Sequence, residues 1–127
     1  MSNLIDNDQT KLLAKYLDLN VYRQGLLSSN IANIDTPGYH TKDIDFKGEL
    51  QRSMSGFSDG ADGSASPFGP SIKEVPDLDE RPDGNNVSID RESMMLSATQ
   101  LQFKLGVELL KDQFKGISMA INDGKAS

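Results

Sequence analysis

Residues 91–121 read RESMMLSATQLQFKLGVELLKDQFKGISMAI. Within them Leu96, Phe103, Leu110 and Ile117 recur every seven residues, and Val107, Phe114 and Ile121 form a companion series at 4,3 spacing. That repeat is the seam of a coiled-coil helix, because 3.5 residues per turn keeps such positions on one face. Met94, Ala98, Leu101, Leu105 and Leu109 add an apolar stripe on a neighbouring face. Asp90 is the expected N-cap, with Ile89 and Met94 placed as a hydrophobic staple across it, and Gly124 is the expected stop. The sequence therefore predicts one long C-terminal helix, ~46 Å at 1.5 Å per residue.

Working outward, a second periodic segment runs from about Asn7 to Asn33. Leu13, Leu17, Leu27, Ile31 and Ile34 keep a 4,3 spacing once Asn20 and Gln24 are counted as polar members. Leu12, Tyr16, Leu19 and Leu26 form an adjacent stripe. Asp6 and Gln9 fit a capping pair at its start, where acidic residues suit the positive end of the helix dipole. At the far end Pro37 disfavours helix at Thr36, and Pro37-Gly38 fits the centre of a type II turn. This helix would be ~40 Å long.

Between the helices the composition changes. Residues 53–70 are dense in Gly, Ser, Pro and Asp and lack apolar periodicity, which marks a flexible linker. Asp43-Ile44-Asp45-Phe46 and Ile72-Lys73-Glu74-Val75 alternate polar with apolar residues and predict a small β excursion. The expected fold is mainly α: long N- and C-terminal helices paired as a coiled-coil-like hairpin, with a Gly/Ser/Pro-rich central loop. Residues 1–39 and 83–127 form the helical domain, and 40–82 the loop and small β region.

The 127 residues suffice for one modest core, and 36% hydrophobic content with no Trp leaves little material to build it. Each helix carries two adjacent apolar stripes, while one partner helix covers about one. Burial must then be completed by other subunits. The formal charge of −6, without clustered Lys or Arg, excludes a nucleic-acid-binding surface. No Cys is present, which removes disulfides and thiolate chemistry. The polar N-terminus lacks a secretory signal pattern, and no apolar run is long enough to span a bilayer.

Catalytic constellations fail one by one. The single histidine, His40, follows the Pro-Gly turn and reads as an exposed loop residue, so two-His metal sites are excluded. Asp43 and Asp45 share a strand face about 7 Å apart, but paired glycosidase carboxylates flank a deep cleft that this chain has little mass to form. In the acidic run from Asp77 to Gly84, Arg81 and Pro82 fall where a calcium loop needs a ligand and a glycine. Asn86-Val87-Ser88 fits the glycosylation sequon, a pattern too short to carry weight. No catalytic residue, metal ligand, cofactor or small-molecule substrate is expected.

The segment from Ser29 to Tyr39 closely resembles the N-terminal motif of the flagellar rod and hook axial proteins, Asn-Ile-Ala-Asn, two variable residues, then Thr-Pro-Gly-Tyr. Asn30, Ile31, Ala32, Asn33, Thr36, Pro37, Gly38 and Tyr39 match it in order. Lys42 to Phe46, and Asp83-Gly84-Asn85-Asn86-Val87 followed by Asp90 and Glu92, are similar to the family's short proximal rod subunits. The short length also agrees. Ser28, Ser29, Thr99 and Phe103 depart from residues frequent in the family. The resemblance covers residues 10–46 and 83–121.

It implies a structural subunit of the proximal rod that polymerises into a helical drive shaft, transmits torque and lines the export channel. Expected partners are other copies of itself, other rod proteins, and the adaptor between the rod and the MS ring. Export would use the flagellar type III apparatus, without a cleaved signal, into the periplasm. The competing reading of another class is a cytoplasmic helical adaptor or export chaperone, which would not need this motif. Physically, Asn30 and Asn33 can hydrogen-bond exposed carbonyls or a neighbouring backbone at the last helical turn, and Tyr39 suits the anchoring of an interface.

Overall fold

A computed structural model describes residues 8–58 and 69–126. The order is α1 (Asp8–Ala32), β1 (Lys42–Ile44), α2 (Phe46–Ser58), β2 (Ile72–Glu74) and α3 (Ile89–Ala126). The expected capping pair begins at Asp6, outside the described residues.

α1 and α3 pack against each other as an antiparallel pair, Thr10 hydrogen-bonding Gln113 at one end and Asn30 hydrogen-bonding Glu92 at the other. Midway, a Cβ added at Gly106 would lie 2.8 Å from Leu17 Cδ2 and 3.1 Å from the Tyr16 ring. The missing side chain lets the two helices approach closely there.

The pairing face of α3 differs from the one its apolar heptads predict. Leu96, Phe103, Leu110 and Ile117 are all half-buried, and the alternate positions are taken by Glu92, Thr99, Gly106 and Gln113. Val107 is half-buried, whereas Phe114 and Ile121 are exposed, at 46% and 48%. Both lie beyond Gln113, which pairs with Thr10 in the first described turn of α1. On α1, Leu27 is buried with Asn20, while Leu13, Leu17 and Ile31 are half-buried, as is Ile34 in the turn after it.

The α3 start is also corrected. Ser88 is the N-cap: its carbonyl accepts from Glu92 N at 2.9 Å and its hydroxyl from Arg91 N at 3.3 Å. Asp90 therefore sits inside the first turn, where it still opposes the dipole. Ile89 and Met94 are both exposed and form no staple. Gly124 lies within the helix, a tolerated cost of about 1 kcal/mol for an open position.

β1 and β2 pair antiparallel, Asp43 opposite Lys73, which places the β excursion as expected. Its first arm ends sooner, because Asp45 caps α2: its carboxylate accepts from Gly48 N at 3.2 Å and its carbonyl from Glu49 N at 2.9 Å. Phe46 accordingly opens a helix and packs edge-on to Tyr16, ring centroids 5.5 Å apart. α2 reaches Ser58 and so occupies the first part of the stretch expected to be a linker. Residues 59–68 of that stretch lie outside the described residues.

Among the described residues the buried set of larger side chains is small and mostly polar. Leu19, Leu27, Ile44 and Val87 are its apolar members, against Asn20, Asn30, Thr41, Asp43, Glu49, Ser53, Asn85, Glu92 and Thr99. Stability must rest on satisfied hydrogen bonds as much as on apolar burial.

Candidate assembly site

The sequence motif closes α1 and turns the chain back. Asn33 N donates to Ser29 O, and Tyr39 N to Thr36 O at 3.2 Å, which closes the turn over Pro37 and Gly38. Gly38 has φ 75°, the left-handed value the second central position of a type II turn requires. Thr36 donates its hydroxyl to Asn33 Oδ1, and Asn33 Nδ2 donates back to Ser29 O.

Asn30 is the centre of the site. Fully buried, it donates from Nδ2 to Lys42 O at 2.8 Å and to Glu92 Oε2 at 2.9 Å, and its Oδ1 accepts from Tyr39 OH at 2.9 Å and Lys42 N at 3.1 Å. A carboxamide has two donors and one carbonyl with two lone pairs, so its capacity is filled. One side chain joins α1, the motif turn, β1 and α3.

Two more asparagines, from the loop ahead of α3, complete the clasp. Asn85 Nδ2 donates to the carbonyls of Asn33 and Thr36, at 2.9 and 2.8 Å, while its Oδ1 accepts from Val87 N. Asn86 Oδ1 accepts from Thr41 N at 2.7 Å and from the Thr41 hydroxyl at 2.9 Å, and its backbone amide donates to Tyr39 O. Arg81 donates to the carbonyls of Ile34 and Val87. Gly38 N donates to Asp83 O at 2.9 Å, and a Cβ on Gly84 would come within 3.2 Å of Gly38 Cα. The two glycines let two backbones touch.

Beside this clasp lies an ion network. Arg23 holds both oxygens of Asp43, at 3.0 and 2.9 Å, Arg91 reaches Asp43 Oδ2 at 3.1 Å, and Arg91 also donates to Glu92 Oε1 at 2.6 Å. Burial pushes the Asp43 carboxyl up, but Arg23, the Ile44 amide and Arg91 outweigh it and hold it below the ordinary carboxylate value. Asp43 is thus locked in structural pairs while Asp45 is exposed and caps a helix, an arrangement with no general acid and base facing a substrate. His40 hydrogen-bonds Glu74 at 3.2 Å with Glu80 at 3.8 Å, and its imidazole is raised chiefly by the Glu74 contact.

The structure therefore gathers Asn30, Asn33, Thr36, Pro37, Gly38, Tyr39, Asn85, Asn86 and Val87 into one place, with Ile31 half-buried and Ala32 exposed at the end of α1. Asp90 stays outside it. Sequence reading misses Arg23, Thr41, Arg81 and Arg91. Their partners stand 20 residues or more away for Arg23, Thr41 and the Arg81–Ile34 contact, and no short-range pattern announces such pairs.

Two other surfaces stand out. Met94, Leu101, Leu105 and Leu109 are more than 50% exposed along one side of α3. An apolar groove of about 330 Å³ opens between the helices, lined by Leu12, Leu13, Tyr16, Leu50, Leu105, Gly106 and Leu109. Among the described residues no group of acidic or histidine side chains could hold a metal, and no helix is long and apolar enough to cross a membrane.

Residues 22–40, which include the whole turn, match the family described as Flagella basal body rod protein. Flagellar basal body rod protein FlgB of Salmonella typhimurium is 34% identical over 123 residues, covering 85% of this chain and 88% of that protein. The FlgB of Borrelia hermsii is 32% identical over 129 residues, covering 87% and 93%. That of Bacillus subtilis is 29% identical over 109 residues, covering 81% and 84%.

Proposed function

This chain belongs to the FlgB family of flagellar basal body rod proteins, and we infer from that membership that it is a structural subunit of the proximal rod. The observation that supports a mechanical role for its motif is Asn30, whose filled carboxamide ties α1, the turn, β1 and α3 into one unit. The motif residues Asn30 to Tyr39 and the approach to α3 at Asn85, Asn86 and Val87 set the angle at which the paired helices leave the turn. The apolar faces then serve packing: Leu13, Leu17, Leu27, Ile34, Leu96, Phe103, Val107 and Leu110 between α1 and α3, and Phe114, Ile117 and Ile121, beyond Gln113, toward neighbours.

On this reading the subunits assemble with their own copies, with other rod proteins and with the adaptor at the MS ring. A heterologous contact whose rotation does not close generates a helical filament. The subunit leaves the cytoplasm through the flagellar export apparatus, works in the periplasmic part of the basal body, and acts by packing rather than by catalysis. The test is deletion of the gene followed by imaging of isolated basal bodies. The expected result is loss of the rod and hook, restored by the wild-type chain; complete rods in the mutant would overturn the assignment.

A further inference from the structure

His40 is the one histidine of the chain, and it directly follows the motif turn. Its ring lies between two carboxylates from different segments. Nδ1 is 3.2 Å from Glu74 Oε2 on β2, and Nε2 is 3.8 Å from Glu80 Oε1 in the loop ahead of α3. Glu80 also leans over the point where two backbones touch: a Cβ added at Gly84 would come 3.4 Å from Glu80 Oε1 and 3.2 Å from Gly38 Cα. β2 reaches the same place through Val75 N, which donates to Thr41 O at 2.9 Å. Turn exit, β2 and loop therefore converge on one imidazole.

The donors and acceptors select the form of the ring that fits. A carboxylate only accepts, and a neutral imidazole has one N–H and one lone pair. When neutral, the ring can donate to one glutamate while its lone pair faces the negative charge of the other. The imidazolium donates from both nitrogens. Neighbouring charges are engaged elsewhere or add to this pattern. Lys42 Nζ lies over the Tyr39 ring, 5.6 Å from its centroid, and Arg81 donates to the carbonyls of Ile34 and Val87. Lys73, opposite Asp43, alternates to the other face of β2 from Glu74. On the loop that carries Glu80, Asp83 accepts from Asn85 N, while Asp77 and Asp79 are exposed and of the same sign as Glu80.

We propose that His40 is a proton-operated clamp of the turn end: as imidazolium it joins Glu74 on β2 and Glu80 in the loop to the motif turn, and as neutral imidazole it holds only one of them. The Glu74 hydrogen bond, with the charges of Glu74 and Glu80, outweighs desolvation and keeps the imidazole above its ordinary value of 6.5. The clamp's stabilisation is thus fully present below the unfolded value near 6.5 and is lost as pH rises through the folded value. Both glutamates are exposed, so solvent screens the clamp, and its effect belongs to local opening more than to global unfolding.

The test uses the untagged full-length chain and NMR, where the lone histidine gives one titrating ring. Its midpoint is expected above 6.5, and lower in Glu74→Gln and in Glu80→Gln than in the wild type. Hydrogen exchange at the amides of Val75 and Gly38, which bond Thr41 O and Asp83 O, reports whether β2 and the loop are held to the turn. Corrected for intrinsic rates, protection there is expected to be about two- to fivefold greater at about pH 5.5 than at about pH 8, the scale of an exposed ion pair. Asp43, held below 3.8, keeps its charge across that window. His40→Gln, which retains a donor and cannot charge, is expected to remove the difference. A midpoint at or below 6.5 would overturn the proposal, as would an equal pH dependence of protection in His40→Gln. A midpoint lowered by Glu74→Gln alone would also overturn it, leaving a single ion pair in place of a clamp.

Discussion

The two ends of the hairpin are built on opposite principles. At the turn end, Asn30 with Glu92 and Arg23, Asp43, Arg91 and Glu92 among themselves form directed hydrogen bonds, while Asn85 and Asn86 bond the turn carbonyls and Thr41, all inside a single chain. At the other end α3 runs on beyond Gln113 and presents Phe114, Met119 and Ile121 to solvent. The first end satisfies its polar groups within the chain; the second leaves apolar side chains exposed. A chain that must keep one shape and still polymerise gains from separating the two tasks along its length.

The comparison breaks most sharply at Asn30. Asn30→Ala leaves the buried Glu92 Oε2 without this partner and removes the bonds to the Lys42 backbone and Tyr39 hydroxyl, and should cost about 3–5 kcal/mol, the scale of breaking a buried charged network from one side. Urea unfolding followed by circular dichroism measures it; a loss under about 1 kcal/mol, the net worth of a single ordinary hydrogen bond, would refute the central position of this side chain.

Gly106 sits between the two ends, and Gly106→Val should cost about 1–3 kcal/mol as the helices are forced apart against Leu17 and Tyr16. A smaller loss in the same unfolding experiment would mean that Leu17 swings aside.

The turn end should also be acid-sensitive. Asp43 has its folded value lowered, so its stabilisation is fully present above the unfolded value near 3.8 and is lost as pH falls through the folded value. Unfolding midpoints measured from about pH 6 down through 3.8 and below should decline, and Asp43→Asn should flatten that part of the decline while lowering stability at about pH 6. An unchanged slope in the variant would remove Asp43 as its source.

The smallest effect on the monomer belongs at the overhang. Phe114→Ser should change unfolding stability by less than about 0.5 kcal/mol, as exposed substitutions do, yet reduce assembly into sedimenting polymer. If monomer stability fell by several kcal/mol instead, the two ends would not be separate in function.

The same division explains what the amino-acid sequence discloses. α1, α3 and the Pro37-Gly38 turn are legible because period and turn chemistry are local, and the β pair shows in its alternation. α2 is hidden, although Asp45 as cap and Phe46, Leu50 and Met54 at four-residue spacing carry its signal, because Gly and Ser at its end resemble a linker. The α3 pairing face is misread for a physical reason: Thr99, Gly106 and Gln113 face α1 by allowing close approach and hydrogen bonding, so the most apolar heptad line is not the inner one. Asn30 and Asn85 stand out in the motif and in the loop before α3, but the pairing of Asn30 with Glu92, 62 positions away, and of Asn85 with Thr36 and Asn33, 49 and 52 positions away, is a property of the folded chain alone.

The asparagine clasp has a mechanical corollary. Hydrogen bonds weaken steeply when bent away from line, whereas apolar contact is indifferent to direction. Twisting load applied along the hairpin would therefore meet a stiff joint at the turn and a surface free to slide at the overhang. The subunit is a lever clamped at one end and lubricated at the other, and under strain the yielding should begin between molecules before it begins within one.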